Sequence, residues 1–127
     1  ELLLRHGAEI NLQNRNGYTA LMGAAGNGLE RVVELLIRRG AELNLQNSYA
    51  FTALMYALNH PAVIRQLLAA GADTTTPCAG GHTALTYAAG KGQERAVDTL
   101  IRHGAAIDLQ NGNGHTALIL AAYNGHS

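Results

Sequence analysis

The chain has 127 residues, with nine Lys plus Arg against nine Asp plus Glu, 47 % apolar residues, 15 Gly, one Cys and no Trp. That length fits one domain, and the neutral balance excludes the basic stripe that displaces counterions from nucleic acid or docks on an anionic membrane. Apolar runs such as Ala117 to Ala122 are far too short to span a bilayer, no N-terminal stretch reads as a signal peptide, and the single Cys78 suits a reducing compartment, so an intracellular, cytoplasmic setting is expected.

Two markers recur along the chain. Gly-Ala stands at Gly7, Gly40, Gly71 and Gly104, and Thr-Ala-Leu begins at Thr19, Thr52, Thr83 and Thr116; both series step by 33, 31 and 33 residues. Unrelated markers that share a period, including the same shortening, define a tandem array. The units run 14–46, 47–77 and 78–110, flanked by partial units 1–13 and 111–127.

In chain order, 1–13 opens inside a helix, because Gly7 aligns with Gly40. His6 precedes a Gly-Ala, as His103 does, where an imidazole suits a helix C-terminus. The unit 14–46 starts with a turn, Asn14-Arg15-Asn16-Gly17, in which Gly17 supplies positive φ. Thr19 is placed to cap a short helix, Ala20 to about Gly26, whose small residues allow close packing. Asn27-Gly28 breaks it. A second helix, from about Leu29 to Arg39, carries Val32, Val33, Leu35, Leu36 and Ile37 on an apolar face, with Glu34 and Arg38 paired outside. Gly40 follows as the residue past its end, and Leu43 to Gln46 is extended.

The unit 47–77 is the irregular one. Ala50 stands where Gly17, Gly81 and Gly114 stand elsewhere, so a hairpin of unchanged path strains Ala50 by about 1 kcal/mol or more. Two residues are missing between its helices, at Asn59-His60-Pro61, where Pro61 suits the first position of a second helix. Such irregularity marks either a place where a partner is read or neutral drift. The unit 78–110 repeats the first, with Asp98 and Arg102 in the places of Glu34 and Arg38, and Tyr56 and Tyr87 align with Gly23 towards the helix interior. The segment 111–127 restarts the pattern and stops before a second helix. Neither end is a polar capping unit, which predicts a piece of a longer array, or ends that stack head to tail.

Catalytic and metal chemistry find little footing. His82 and His115 lie one unit apart, and helices that pack about 8–10 Å apart do not bring two imidazoles to one metal. Cys78 sits in a turn with no neighbouring base, and Glu30-Glu34 and Glu94-Asp98 lie on polar helix faces with arginines following. Ala79-Gly80-Gly81 and Gly112-Asn113-Gly114 lack the Gly-Lys-Ser/Thr of a phosphate loop. No enzyme, cofactor or metal is expected.

Thr19 to Gly28, then Val33-x-Leu-Leu, then Gly40-Ala41-Glu42-Leu43-Asn44 resemble the ankyrin repeat, and the likeness covers the whole chain. It departs from that pattern at Ala20, Ala53, Ala84 and Ala117, where the family has Pro, and at Asn14, Asn47, Cys78 and Asn111, where it has a turn aspartate; Cys78 leaves one hairpin without its anchor. The resemblance implies an all-α solenoid of stacked helix-turn-helix units with β-hairpin-like connecting loops. It also implies a non-catalytic protein-protein interaction module that binds through hairpin tips and the concave face of the first helices. Carried over by position, the tips supply Arg15, Asn16, Tyr18, Tyr49, Phe51, His82, Asn113 and His115, together with Gln13, Gln46 and Ser48; the first helices supply Asn27, Asn59, His60, Lys91 and Tyr123. Tyr18, Tyr49 and Phe51 either pack on adjacent hairpins or face a partner, and the partner-facing reading is adopted. With so few charges at these places, the partner there is a protein or peptide that is neither strongly basic nor acidic; no nucleic acid or membrane insertion is expected. The alternative is a structural spacer or assembly segment that stacks end to end, against an expectation of a monomer.

Overall fold

The computed structural model describes residues 10–103. Each first helix begins at a threonine in extended backbone whose hydroxyl accepts from the amide three residues on. The distances are 3.2 Å for Thr19 and Met22, 3.4 Å for Thr52 and Met55, and 3.3 Å for Thr83 and Thr86. At Thr83 the Thr86 hydroxyl accepts in turn from the Thr83 amide at 2.9 Å, which closes a capping box. The helices so started are α1 (Ala20–Gly26), α3 (Ala53–Tyr56) and α5 (Ala84–Gly90), and each turns back into α2 (Glu30–Arg38), α4 (Pro61–Ala69) or α6 (Glu94–Arg102). No strand occurs among the described residues, so the architecture is an all-α solenoid.

The second helices stop as the sequence predicts. Gly40, at φ +88°, donates to Ile37 O and Ala41 donates to Leu36 O, both at 3.0 Å; Gly71 and Ala72 repeat these two bonds to Leu68 and Leu67. The missing residues of the middle unit have a visible consequence. Its first helix keeps only four α-helical residues, and Ala57–Asn59 tighten into a 3₁₀ turn. The His60 amide closes that turn on Ala57 O at 2.8 Å, and Pro61 opens α4 at its first position.

First helices stack on first helices and second on second, with α1 against α3 and α5 beyond, and α2, α4 and α6 side by side. Ala25, Ala57 and Ala88 are fully buried, and Leu21, Leu54, Leu85, Ile64, Leu67 and Leu100 are the large side chains of the same core. Burying each such leucine or isoleucine contributes about 1.5–3 kcal/mol. One expectation needs correction. Val32 is 43 % exposed rather than part of the apolar face, whereas its counterparts Val63 and Ala96 are buried. Those two belong to helices that pack on the preceding unit's second helix, and among the described residues no α-helix precedes α1 and α2 to do the same. The ion pairs Glu34–Arg38 and Asp98–Arg102 form as expected, each at 3.2 Å. Both are exposed and add little stability.

Candidate functional site

The hairpins are built from one repeated turn. Asn14 N donates to Tyr18 O at 3.0 Å and Gly17 N to Asn14 O at 2.9 Å; the same pair of bonds recurs at Asn47, Ala50 and Phe51, and at Cys78, Gly81 and His82. The residue that donates back to the first carbonyl of the turn must be left-handed, and Gly17 and Gly81 both have φ +83°. Ala50 follows the same path at φ +60°, the one left-handed residue other than glycine among those described. The unusual residue therefore bends to the array rather than the array to it.

Side-chain amides hold the turns. Asn14 Oδ1 accepts from the amides of Asn16 and Tyr18 at 2.9 and 3.0 Å, and Asn47 Oδ1 accepts from those of Tyr49 and Phe51 at 2.9 and 3.1 Å. Cys78, buried at the matching place, brings no carboxamide to its turn. Neighbouring hairpins are then tied together. Gln13 Nε2 donates to Gly17 O and across to Gln46 O, and Gln46 Nε2 donates to Ala50 O and across to Pro77 O. Ser48 N donates to Asn16 O at 2.8 Å and Ala79 N to Tyr49 O at 3.2 Å. Gln13 and Gln46, named from sequence as tip contacts, are thus engaged within the array.

The aromatic residues form a connected strip across three units. Tyr18 and Tyr56 have ring centroids 5.7 Å apart, Tyr56 and Phe51 5.5 Å, Phe51 and Tyr87 5.5 Å, and Tyr87 and His82 6.4 Å. The Lys91 ammonium lies 5.3 Å from the Tyr87 ring centroid. Tyr49 leans edge-on to Phe51 at 6.4 Å and is 60 % exposed. Behind the strip, Asn47 Nδ2 donates to Tyr56 Oη at 2.6 Å, and Tyr56 Oη donates to Tyr18 Oη at 2.9 Å. Burial, reinforced by the Tyr18 hydroxyl, pushes the Tyr56 phenol up to about 12, so Tyr56 stays protonated throughout the neutral range.

The sequence-named residues separate into groups. Arg15, Asn16, Tyr49, Asn27, Asn59 and Lys91 are exposed, while Tyr18, Phe51, His60 and His82 are half-buried. His60 packs its ring against Gly28, where a Cβ would stand 2.6 Å from Nδ1, and its Nε2 lies 3.2 Å from Gly26 O. Asn59 Oδ1 accepts from Gln93 Nε2 at 2.6 Å, and Asn27 Nδ2 donates to Gly23 O at 2.8 Å. Asn113, His115 and Tyr123 lie outside the described residues, as does His6. Tyr56 and Tyr87, expected towards the interior, instead join the strip and are half-buried. The signal lay in their alignment with Gly23, which is exposed and whose added Cβ would meet nothing within 4 Å. That position faces out from the first helix.

Among the described residues no group of three or more His, Cys, Asp or Glu could hold a metal ion, and no helix is long and apolar enough to cross a membrane.

A family model described as ankyrin repeats (3 copies) matches residues 1–78 and 59–127. Ankyrin repeat and SOCS box protein 16 of Mus musculus is 37 % identical over 121 residues, which cover 92 % of this chain and 21 % of that protein. Its Homo sapiens namesake is 39 % identical over 59 residues, 46 % of this chain and 13 % of that protein. Ankyrin repeat and KH domain-containing protein mask-1 of Caenorhabditis elegans is 45 % identical over 62 residues, 47 % of this chain and 2 % of that protein. The chain therefore spans about a fifth of the length of the mouse protein, and less of the other two.

Proposed function

We propose that this chain, which belongs to the ankyrin-repeat family, is a non-catalytic recognition module that grips another protein or peptide through its hairpin tips and first helices. The observation that carries this reading is Tyr49. It stands 60 % exposed at the tip of a hairpin that is anchored by Asn47, bridged to both neighbours and backed by Phe51. A rigid aromatic side chain held in water loses little entropy on binding and brings a large contact area, which is how hot spots arise. Around it the surface is polar and mixed, with Arg15, Asn16 and Lys91 exposed and His82 half-buried. A partner there is recognised by aromatic packing and hydrogen bonds rather than by net charge. The similar proteins from mouse and worm name an ankyrin array together with a SOCS box or a KH domain, which fits an array serving as the recognition part of a larger chain.

Affinity capture from cell extract with wild type and Tyr49→Ala in parallel tests the reading. The expected result is a discrete set of proteins retained by wild type and lost by Tyr49→Ala, with unchanged thermal unfolding. Equal capture by both proteins contradicts the assignment of Tyr49.

A spacer or end-to-end assembly role draws on a different observation, the exposure of Leu29 and Val32 on one flank of α2 and of Ile101 on α6. Light scattering across a concentration series separates the two readings. A constant mass near 13.4 kDa supports a monomeric module, and a mass that climbs with concentration supports assembly.

A further inference from the structure

A second surface lies on the second helices and shares no residue with the aromatic strip. Between α4 and α6 an open groove of about 370 Å³ is lined by Pro61, Ala62, Arg65, Arg95, Asp98, Thr99 and Arg102. The irregular unit creates it. Where α2 and α6 carry Arg31 and Arg95, α4 has the small Ala62; where they carry Arg38 and Arg102, it has Ala69. Where they carry the carboxylates Glu34 and Asp98, it has Arg65. Loss of long side chains opens the space, and the charge reversal makes it basic. A chain with nine basic and nine acidic residues thus sets three guanidinium groups against one carboxylate in a single groove.

That carboxylate is already engaged, since Asp98 Oδ2 lies 3.2 Å from Arg102 Nε. Among the described residues Arg65 and Arg95 have no carboxylate within 4.0 Å. Both are exposed, and both are guanidinium groups whose planar fork matches an oxyanion with two parallel hydrogen bonds. The rest of the lining is small and largely apolar, with Pro61 and Ala62 on one side, while the Thr99 hydroxyl is turned back onto Arg95 O at 2.8 Å. Such a lining suits the methylene stems of acidic side chains, which a free inorganic anion lacks. No aromatic ring lines the groove for bases to stack on, and three arginines on two short helices do not make the long stripe a nucleic-acid backbone needs.

We propose that the α4–α6 groove binds an acidic peptide segment of a partner protein, with Arg65 and Arg95 pairing its carboxylates. This surface is independent of the contacts assigned to Tyr49, which favour an uncharged partner face. It can fail without affecting them. The test is fluorescence anisotropy of a labelled hexaglutamate peptide at low ionic strength, with a labelled oligothymidylate in a parallel titration. Hexaglutamate is expected to bind wild type and to bind about tenfold more weakly to Arg65→Glu and to Arg95→Glu, with Arg65→Lys, which keeps the charge but not the fork, falling between wild type and Arg65→Glu. Arg31→Glu makes the same change in net charge at an exposed position of α2 outside the groove lining and is expected to leave binding unaltered. Thermal unfolding checks that each variant is folded, and Arg65→Ala and Arg95→Gln replace any reversal that is not. The proposal is overturned by absence of hexaglutamate binding to wild type, by an equal loss in Arg31→Glu, or by tighter binding of oligothymidylate at the same arginines.

Discussion

Ala50 is the clearest case of a residue held against its own preference. A left-handed alanine costs about 1–2 kcal/mol, and glycine would give back about 0.5–1 kcal/mol through the entropy of the unfolded chain. Ala50→Gly should therefore stabilise the protein by about 0.5–1 kcal/mol, read as a higher urea midpoint at unchanged slope. The reverse change, Gly17→Ala, meets a harder obstacle, because a Cβ there would stand 2.8 Å from Asn47 Cα as well as at φ +83°. It should destabilise by more than Ala50→Gly stabilises. Two titrating groups add pH dependence of opposite sense. The Asp73 carboxyl is held below its ordinary value, first by the Thr75 amide and then by the hydroxyls of Thr75 and Thr76. Its contribution is complete above the ordinary carboxylate range and is lost as pH falls below it, and Asp73→Asn should flatten that part of the profile. The Tyr56 phenol is raised to about 12, so its contribution holds below the ordinary tyrosine value and fades as pH rises from there towards 12. Absorbance titration of tyrosinate in wild type and Tyr56→Phe should show the last step disappear.

Elements were legible where a single local rule decides them. The threonine caps, the glycines past the second helices and the bounds of α1 follow from capping and turn chemistry that tertiary contacts do not override. Pro61 at the head of α4 was readable for the same reason. What could not be read depended on neighbours. Val32 belongs to an apolar pattern, yet its burial is decided by whether a helix lies on that flank, and periodicity within one helix does not carry that information. Tyr56 and Tyr87 looked like core from their alignment with Gly23, whereas each is half-buried, rests on the core with one part and packs on Phe51 with the other. Gln13 and Gln46 looked like free tip contacts because a bridge to the next hairpin is visible only once units are stacked in register. At this scale the hairpin anchors make a further prediction. Asn47→Ala should cost more stability than Asn14→Ala, by about 1–2 kcal/mol in thermal unfolding. Asn47 is buried and also donates to Tyr56 Oη, whereas Asn14 is exposed and serves only its own turn.

For the whole molecule, repetition supplies rigidity and irregularity supplies chemistry. The glutamine bridges and the stacked helices hold three hairpins in register, so their tips form one surface rather than three mobile loops. The shortened unit contributes Tyr49, Phe51 and Tyr56 to the aromatic strip and Arg65 to the basic groove. A spacer has no use for an aromatic ring kept in water at the centre of such a surface. The direct measurement is site-specific photocrosslinking with benzoylphenylalanine placed at position 49 and, as a control on the exposed outer face, at position 34. The account predicts discrete adducts with a partner protein from position 49 and none of the same mass from position 34. Identical adducts from both positions, or adducts from position 34 alone, would contradict recognition through the hairpin tips.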